Sequence, residues 1–300
     1  MKLQVGVNIG GLMKYKDDPE KFIDIEEGID IIAEAGFDTI DFNVGRGFAR
    51  VNEGQDFTEV FTGIRKYAES KGVRIHQTHA RVLVFEETLT DRFYDMIVED
   101  IKATALLGAK YIVIHPLKPR FAIYDRFADY RKEINLAFFK RLKPVLEEYG
   151  ITECIENLFH TDEERGVCCP AACSRPEEIL GYLDELGTDN FGVCLDTGHM
   201  LLTGDFTGDT IPDAIRKFGK NLKVLHVHDN HKIRDDHYAP FMGLTDWKAV
   251  IDALEEVGFD GVFSLEIMPH RFLSFDRKVW KEGYKFFRKI CDTEEMSKGV

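Results

Sequence analysis

Residues 93–116 read FYDMIVEDIKATALLGAKYIVIHP, and the way this stretch divides decides the fold. Phe93, Ile97, Ile101 and Ala105 recur at helical spacing, Gly108 ends the helix, and YIVIH is a short apolar strand closing on a histidine. Upstream, IEEGIDIIAEAGF sets Ile25, Ile29, Ile32 and Ala33 on one face, stops at Gly36 and leads into the strand FDTIDF. YAESKGVRIHQTH, LKPVLEEYGITECIEN, ILGYLDELGTDNFGVCLDTGH, IRKFGKNLKVLHVHDN and VIDALEEVGFDGVFSLE repeat the plan. The glycines are Gly36, Gly72, Gly108, Gly150, Gly187, Gly219 and Gly258; the strands they introduce end on Asp41, His79, His115, Glu156, Asp196, His226 and Glu266. LQVGVN near the start supplies an opening strand.

This predicts eight strands near 3–8, 38–42, 73–79, 109–115, 151–156, 190–196, 222–228 and 260–266, and a closing helix over 273–290. The strands are apolar throughout rather than alternating, as when both faces are buried. Strand and helix alternate, and such units with right-handed crossovers build parallel sheets. Eight of them predict an α/β fold, a single (β/α)8 barrel forming one domain over residues 1–300. An open doubly wound sheet would carry a glycine-rich phosphate turn after its first strand, whereas NIGGLMKYKDD holds neither GxGxxG nor GxxxxGK.

With 39 basic and 53 acidic residues the net charge is −14, which argues against a broad phosphate-binding face and makes nucleic acid an unlikely partner. No apolar run spans a bilayer and the first residues enter a strand directly, so a cytoplasmic protein is expected. Six cysteines show no regular framework, and reduced thiols follow. Cys168, Cys169 and Cys173 in GVCCPAACSRP read as a loop before a helix, because no matching CxxC pair exists. The aromatic-rich tail FLSFDRKVWKEGYKFF is placed to pack on the barrel or on a second copy, which leaves a homo-oligomer open.

In parallel barrels the strand C-termini build the site. Glu156 in ECIENLF and Glu266 in VFSLEIMP are carboxylates at that end of otherwise apolar strands, and they read as divalent-metal ligands. Asp196 and His199 in CLDTGHM bring an oxygen and an imidazole nitrogen toward one centre within a turn of backbone; the bland alternative is a helix-capping Asp. Alternation puts His226 and His228 on one strand face, one as a ligand and the other lining or supporting the pocket. Asp235 and His237 in RDDHYAPFMGLTDW stand in the following loop, with a solvated turn as the alternative. His79 and His115 face the pocket if they are not core histidines, Asp41 reads as a loop cap, and His76, His160, His231 and His270 stay unassigned.

The segments IEN, CLDTGHM, HVHDN, the DDH loop with its later Gly243-x-x-Asp-Trp, and SLE resemble the xylose isomerase-like barrel superfamily, in family order. That superfamily joins sugar-phosphate isomerases and epimerases, ketose 3-epimerases, inosose dehydratases and endonuclease IV-type apurinic endonucleases. The resemblance implies that Glu156, Asp196, His226 and Glu266 bind the catalytic divalent ion. In the epimerase branch it implies that Glu156 and Glu266 flank the substrate carbon while His199 contacts the sugar. His228, His115 and His79, read as pocket-facing from their strand-end positions, are expected as further substrate contacts. In the endonuclease branch it implies that His79, His115, His199, Asp235 and His237 complete a multi-zinc cluster.

Isomerising a ketose removes a proton from carbon beside a carbonyl, and a positioned base supplies only about 10²–10⁴-fold. An ion that chelates the carbonyl and its neighbouring hydroxyl adds several kcal/mol by stabilising the enediolate. Oxygen-rich ligation with imidazole suits Mn²⁺, with Zn²⁺ and Co²⁺ as alternatives, and no organic cofactor is expected. The expected activity is therefore a metal-dependent isomerase or epimerase of a sugar or sugar phosphate. Its rivals are a zinc apurinic endonuclease and a non-catalytic sugar-binding barrel. Arg81, Lys118, Arg120, Lys232 and Arg234 fall in loops at the same end, as candidates to hold phosphate or hydroxyls.

Overall fold

The computed structural model describes residues 1–11, 13–15, 18–82, 90–118, 127–162, 164–268 and 277–298. Eight parallel strands form the sheet: β1 (Gln4–Asn8), β2 (Thr39–Asn43), β3 (Arg74–His79), β4 (Tyr111–Ile114), β5 (Thr152–Glu156), β6 (Phe191–Asp196), β7 (Leu222–His226) and β8 (Val262–Leu265). Neighbours in the sheet are neighbours in the chain, and β8 returns to pair with β1 through Gln4↔Val262 to Val7↔Leu265. Between β7 and β8 the ring closes where Val227 N donates to Ser264 O at 2.8 Å and Glu266 N to Val227 O at 2.9 Å. The protein is a (β/α)8 barrel.

The helices form because each lays an apolar stripe on the strands. In α1 (Ile25–Ala35), Ile25, Ile29, Ile31 and Ile32 are buried; Gly36, at φ 85°, turns the chain through the left-handed region and donates to Ala33 O. Two short antiparallel hairpins, absent from the sequence expectation, follow β1 (Met13–Tyr15 with Asp18–Phe22) and β5 (Phe159–Asp162 with Val167–Pro170). Cys168 and Cys169 lie on the second hairpin rather than in a plain loop, and all six cysteines are free thiols. The closing helix α10 runs Arg277–Ile290, with Tyr284 and Phe287 buried against the barrel; residues 269–276, which include His270, lie outside the described residues, as does Arg120.

Inside the barrel, side chains from alternate positions stack in layers. Val113, Cys154, Cys194 and Val224 form one buried layer. Two residues onward on β5, β6 and β7, and just past β4, the inward positions become Glu156, Asp196, His226 and His115. The apolar layer is therefore the floor of a polar mouth. Among the described residues, no helix is long and apolar enough to cross a membrane.

Candidate metal centre

Glu156 stands at the middle of the mouth, buried and hemmed by imidazoles. His115 Nε2 lies 3.0 Å and His79 Nε2 3.7 Å from its Oε2, while His226 Nδ1 is 3.3 Å and His199 Nδ1 3.4 Å from its Oε1. Glu266 Oε2, brought in from β8, is also 3.3 Å from His226 Nδ1. Two carboxylates from strands three places apart thus converge on one nitrogen. Beside this group, His228 Nε2 stands 3.0 Å from Asp196 Oδ1, and His237 Nε2 2.8 Å from Asp235 Oδ2. His199 Nε2 is 3.8 Å from the same Asp235 oxygen, and His228 and His237 stack at 4.0 Å between centroids.

Most of these imidazoles are held from behind. Asp196 is the N-cap of α7 (Thr197–Thr207), accepting from His199 N at 2.6 Å, so the capping and inward-facing roles of this carboxylate coexist. His79 Nδ1 faces Ala80 O at 2.8 Å, His199 Nδ1 faces Asn157 O at 2.9 Å, and His237 Nδ1 faces Glu266 O at 2.7 Å. Such backing fixes ring orientation and leaves the other nitrogen of His79, His199 and His237 turned inward. Asp41 does this for His226. It is a buried strand residue, not a loop cap; Asn8 Nδ2 (3.0 Å) and Gln77 Nε2 (3.3 Å) donate to its Oδ2, which faces His226 Nε2 at 3.3 Å.

Asp235 and His237 owe their position to a folded loop. Asp229 and Tyr238 exchange backbone hydrogen bonds at 2.8 and 3.0 Å, which turns the segment between them back over the mouth. The buried Asp229 carboxylate accepts from Gly243 N, Thr245 N, Thr245 Oγ1 and Trp247 Nε1 at 2.9–3.2 Å. His237 is held at φ 51°, unusual for a residue with a side chain, by its own Nδ1 contact and by Met268 N donating to its carbonyl at 3.1 Å. Asn157 joins the ends of β5 and β6 through Asp196 N (2.8 Å) and Asp196 O (3.0 Å). Asn157, Asp229, Gly243 and Trp247 stand inside the sequence motifs, but the hydrogen bonds that give them a role reach residues no local pattern pairs them with.

The electrostatics follow from this crowding. Burial opposes a charge on His199, yet Asp196, Asp235 and Glu156 outweigh it and raise its pKa to about 10. His237 is raised to about 9 because Asp235 overcomes the same burial. Burial wins at His115, which falls to about 4. Burial also works against Glu156, and His226 and His115 together still hold it well below the usual carboxylate range. Glu156 Oε2 is nevertheless buried and makes no hydrogen bond of good geometry, with His115 Nε2 facing it at 3.0 Å. Acceptor oxygens facing imidazole nitrogens, with the remaining valence unmet, are the donor set a divalent cation satisfies. Three-residue groups able to hold an ion include His79/His226/Glu266, His79/His115/Glu156, Glu156/Cys194/His226, Asp196/His199/His228 and His228/Asp235/His237.

All ten predicted site residues gather at this mouth. The unassigned histidines do not all join them: His76 pairs with Arg74 and lies 5.4 Å from the Tyr111 ring, His160 is on the hairpin after β5, and His231 packs 5.6 Å from Tyr238. Of the loop cations, Arg81 is bound to Asp100 (2.7 Å) and lies over Phe48, and Lys232 reaches Asp205 (2.6 Å). A cavity of about 450 Å³ opens beside Glu266, lined by Asn8, Gly10, Asn43, Arg46 and Met268.

Known proteins agree with this architecture. The chain is 24% identical over 277 residues to D-psicose 3-epimerase of Enterocloster bolteae, covering 88% of this chain and 84% of that one. It is 27% identical over 150 residues to a probable endonuclease 4 of Metamycoplasma arthritidis, covering 48% and 49%. Across the curated relatives, the matched share of their own length runs from 49% to 89%. A crystal structure of IOLI protein with a bound zinc atom superposes with a TM-score of 0.73 at 17% identity, over 99% of this chain and 98% of that one. A family model described as xylose isomerase-like TIM barrel matches residues 29–290, and the chain belongs to that family.

Proposed function

We propose that the protein is a metal-dependent isomerase or epimerase of a sugar or sugar phosphate. The observation that carries this reading is the convergence of Glu156 and Glu266, each 3.3 Å from His226 Nδ1, beside a cavity of about 450 Å³. That volume is within the roughly 300–1,000 Å³ of small-molecule sites. The relatives point the same way, since inosose isomerase and D-psicose 3-epimerase are among them.

Glu156, Asp196, His226 and Glu266 would hold the ion, of which Mn²⁺, Zn²⁺ and Co²⁺ suit the donors. When bound, it polarises the substrate's carbonyl and neighbouring hydroxyl oxygens. The chain's own residues do the rest. Glu266 lines the cavity and is the more open of the two carboxylates, so it takes the proton from the carbon beside the carbonyl. Glu156, ionised at rest and 3.4 Å from the protonated His199, would relay that imidazolium's proton to the other face of the carbon while Glu266 gives its proton to solvent, which inverts the centre. Return from Glu266 to the neighbouring carbon shifts the carbonyl instead. His199 would contact the sugar, whereas His228, expected from the sequence to do the same, is wholly buried with Nε2 on Asp196 and supports the site from behind. The test is exchange of solvent deuterium into a panel of ketoses, inososes and their phosphates by metal-loaded protein. Exchange into none of them overturns the reading.

A second reading, a multi-zinc apurinic endonuclease, is favoured by the gathering of His79, His115, His199, Asp235 and His237 around the centre and by the endonuclease relative. Against it stand the net charge of −14 and the engagement of Arg81 and Lys232 with acids of this chain. Cleavage of abasic duplex that falls steeply with salt would establish it.

A further inference from the structure

The mouth is built almost wholly of groups that bind cations; Arg46 in the cavity wall is tied to Ile9 O and Ile23 O, and a second cation stands on the rim. Lys118 follows His115 on the loop leaving β4. Its backbone is fixed from α5 (Ala128–Tyr149): the buried Asn135 accepts from Leu117 N at 2.7 Å and donates to Leu117 O at 3.0 Å, clamping the preceding residue in both directions. From that anchor the lysine reaches across to β5's side of the rim, where Nζ donates to Phe159 O at 3.3 Å. The Phe159 ring in turn packs 4.9 Å from His199, a member of the metal-binding cluster. Burial draws the lysine's pKa down, while the charges of Glu156 and Asp235 act to raise it, which places the ammonium within their field. Among the described loop cations, Arg81 and Lys232 are turned to other acids and Arg234 is exposed, while Lys118 lies beside the centre through Phe159.

We propose that Lys118 is a specificity-determining residue that binds an anionic substituent of the substrate, so that the site takes a phosphorylated or carboxylated sugar. This deepens the isomerase reading and rests on it for the substrate's identity. An ammonium at a half-buried rim suits an oxyanion, with which it forms a charge-assisted hydrogen bond stronger than one to a neutral carbonyl. It also explains how a protein of net charge −14 could accept an anion at a mouth lined with carboxylates.

The test titrates inorganic phosphate and acetate into metal-loaded, full-length protein by calorimetry, at fixed ionic strength and matched metal content. The proteins compared are the wild type, Lys118→Gln, Lys118→Met and Lys118→Arg. Gln keeps a donor for Phe159 O while removing the charge, so its loss of affinity reports charge rather than folding. Loss of about 10–100-fold in Gln and Met, with recovery in Arg, supports the assignment. Loss confined to phosphate assigns a phosphate ester, and loss confined to acetate assigns a carboxylate. Equal affinities in wild type and Lys118→Gln for both anions overturn it, and so does failure of the wild type to bind either. Anion binding needs no turnover. If no sugar exchanges deuterium while Lys118→Gln still loses phosphate, the isomerase reading falls and the anion site stands.

Discussion

Two halves of the mouth are built differently. Glu156, Asp196 and His226 are the last residues of their strands and Glu266 is the first residue past β8, so the barrel's hydrogen-bonded ring sets their positions. Asp235 and His237 ride on a loop that owes its shape to Asp229 and a single antiparallel bridge. The same ligand types are held in the first case by the whole fold and in the second by one buried carboxylate.

The largest effect should come from the strand-borne half. Glu266→Gln keeps size and hydrogen-bonding reach while removing the base, so deuterium exchange into a responsive sugar should fall by about 10²–10⁴-fold. Thermal melting should change little, because this side chain is partly exposed. A Glu266→Gln protein with undiminished exchange would show that the proton is taken by another group.

Acidity cuts across the halves: burial opposes a charge on the strand-borne His226, yet Cys194, Glu266 and Glu156 outweigh it and hold its pKa well above the usual histidine range. Raised to about 10 and about 9, His199 and His237 both carry protons at neutral pH, and an ion bound there must displace them. His115, near 4, has none to lose. Affinity at both sites should therefore climb by about tenfold per pH unit for each proton displaced, from His226 at one and from His199 and His237 at the other. Metal-free stability has the opposite sign. Ion pairs of histidines with raised pKa act in full below about pH 6.5 and are lost as pH rises through 9 to 10. Glu156, Asp196 and Asp235, all depressed, keep their share until pH falls below about 4. Melting of chelated protein across this range, with calorimetric affinities beside it, checks both directions.

Asp229→Ala attacks the loop-borne half alone. It strands Trp247 Nε1, Thr245 N and Gly243 N, at a cost of roughly 2–4 kcal/mol. The expected outcome is loss of the ion at Asp235 and His237, with the one at Glu156 and His226 retained. Loss of both ions together in a still-folded protein would mean the halves are one unit.

The contrast also explains what the sequence could tell. A strand that is apolar up to its last residue and then turns to Glu, Asp or His is legible, because both the burial and its interruption are local. The helix-glycine-strand repeat made the barrel legible for the same reason. Asp41 was misplaced because what gives it a role is contact with Asn8, Gln77 and His226, residues from three other strands. Asp229 and Asn135 hold loops by accepting or donating across sequence distance, and nothing in their neighbours announces it. The two hairpins rest on short strands with no apolar alternation.

Gly198 offers the smallest and sharpest test, because it lies where the halves touch. A Cβ at this position would fall 1.9 Å from His228 Cε1 and 2.3 Å from Nδ1, so the missing side chain is the space the imidazole occupies. The ring cannot retreat freely: Thr197 Oγ1 accepts from His228 N at 3.0 Å and donates to its carbonyl at 2.8 Å, pinning the backbone. Gly198→Ala must then either tilt His228 off Asp196 or shift the start of α7, at a cost of about 1–3 kcal/mol. If His228 serves as a spacer between the halves, metal content should survive and only the melting temperature should fall. If it holds Asp196 for the central ion, affinity for that ion should fall as well, and His228→Asn alone should reproduce the loss without the strain.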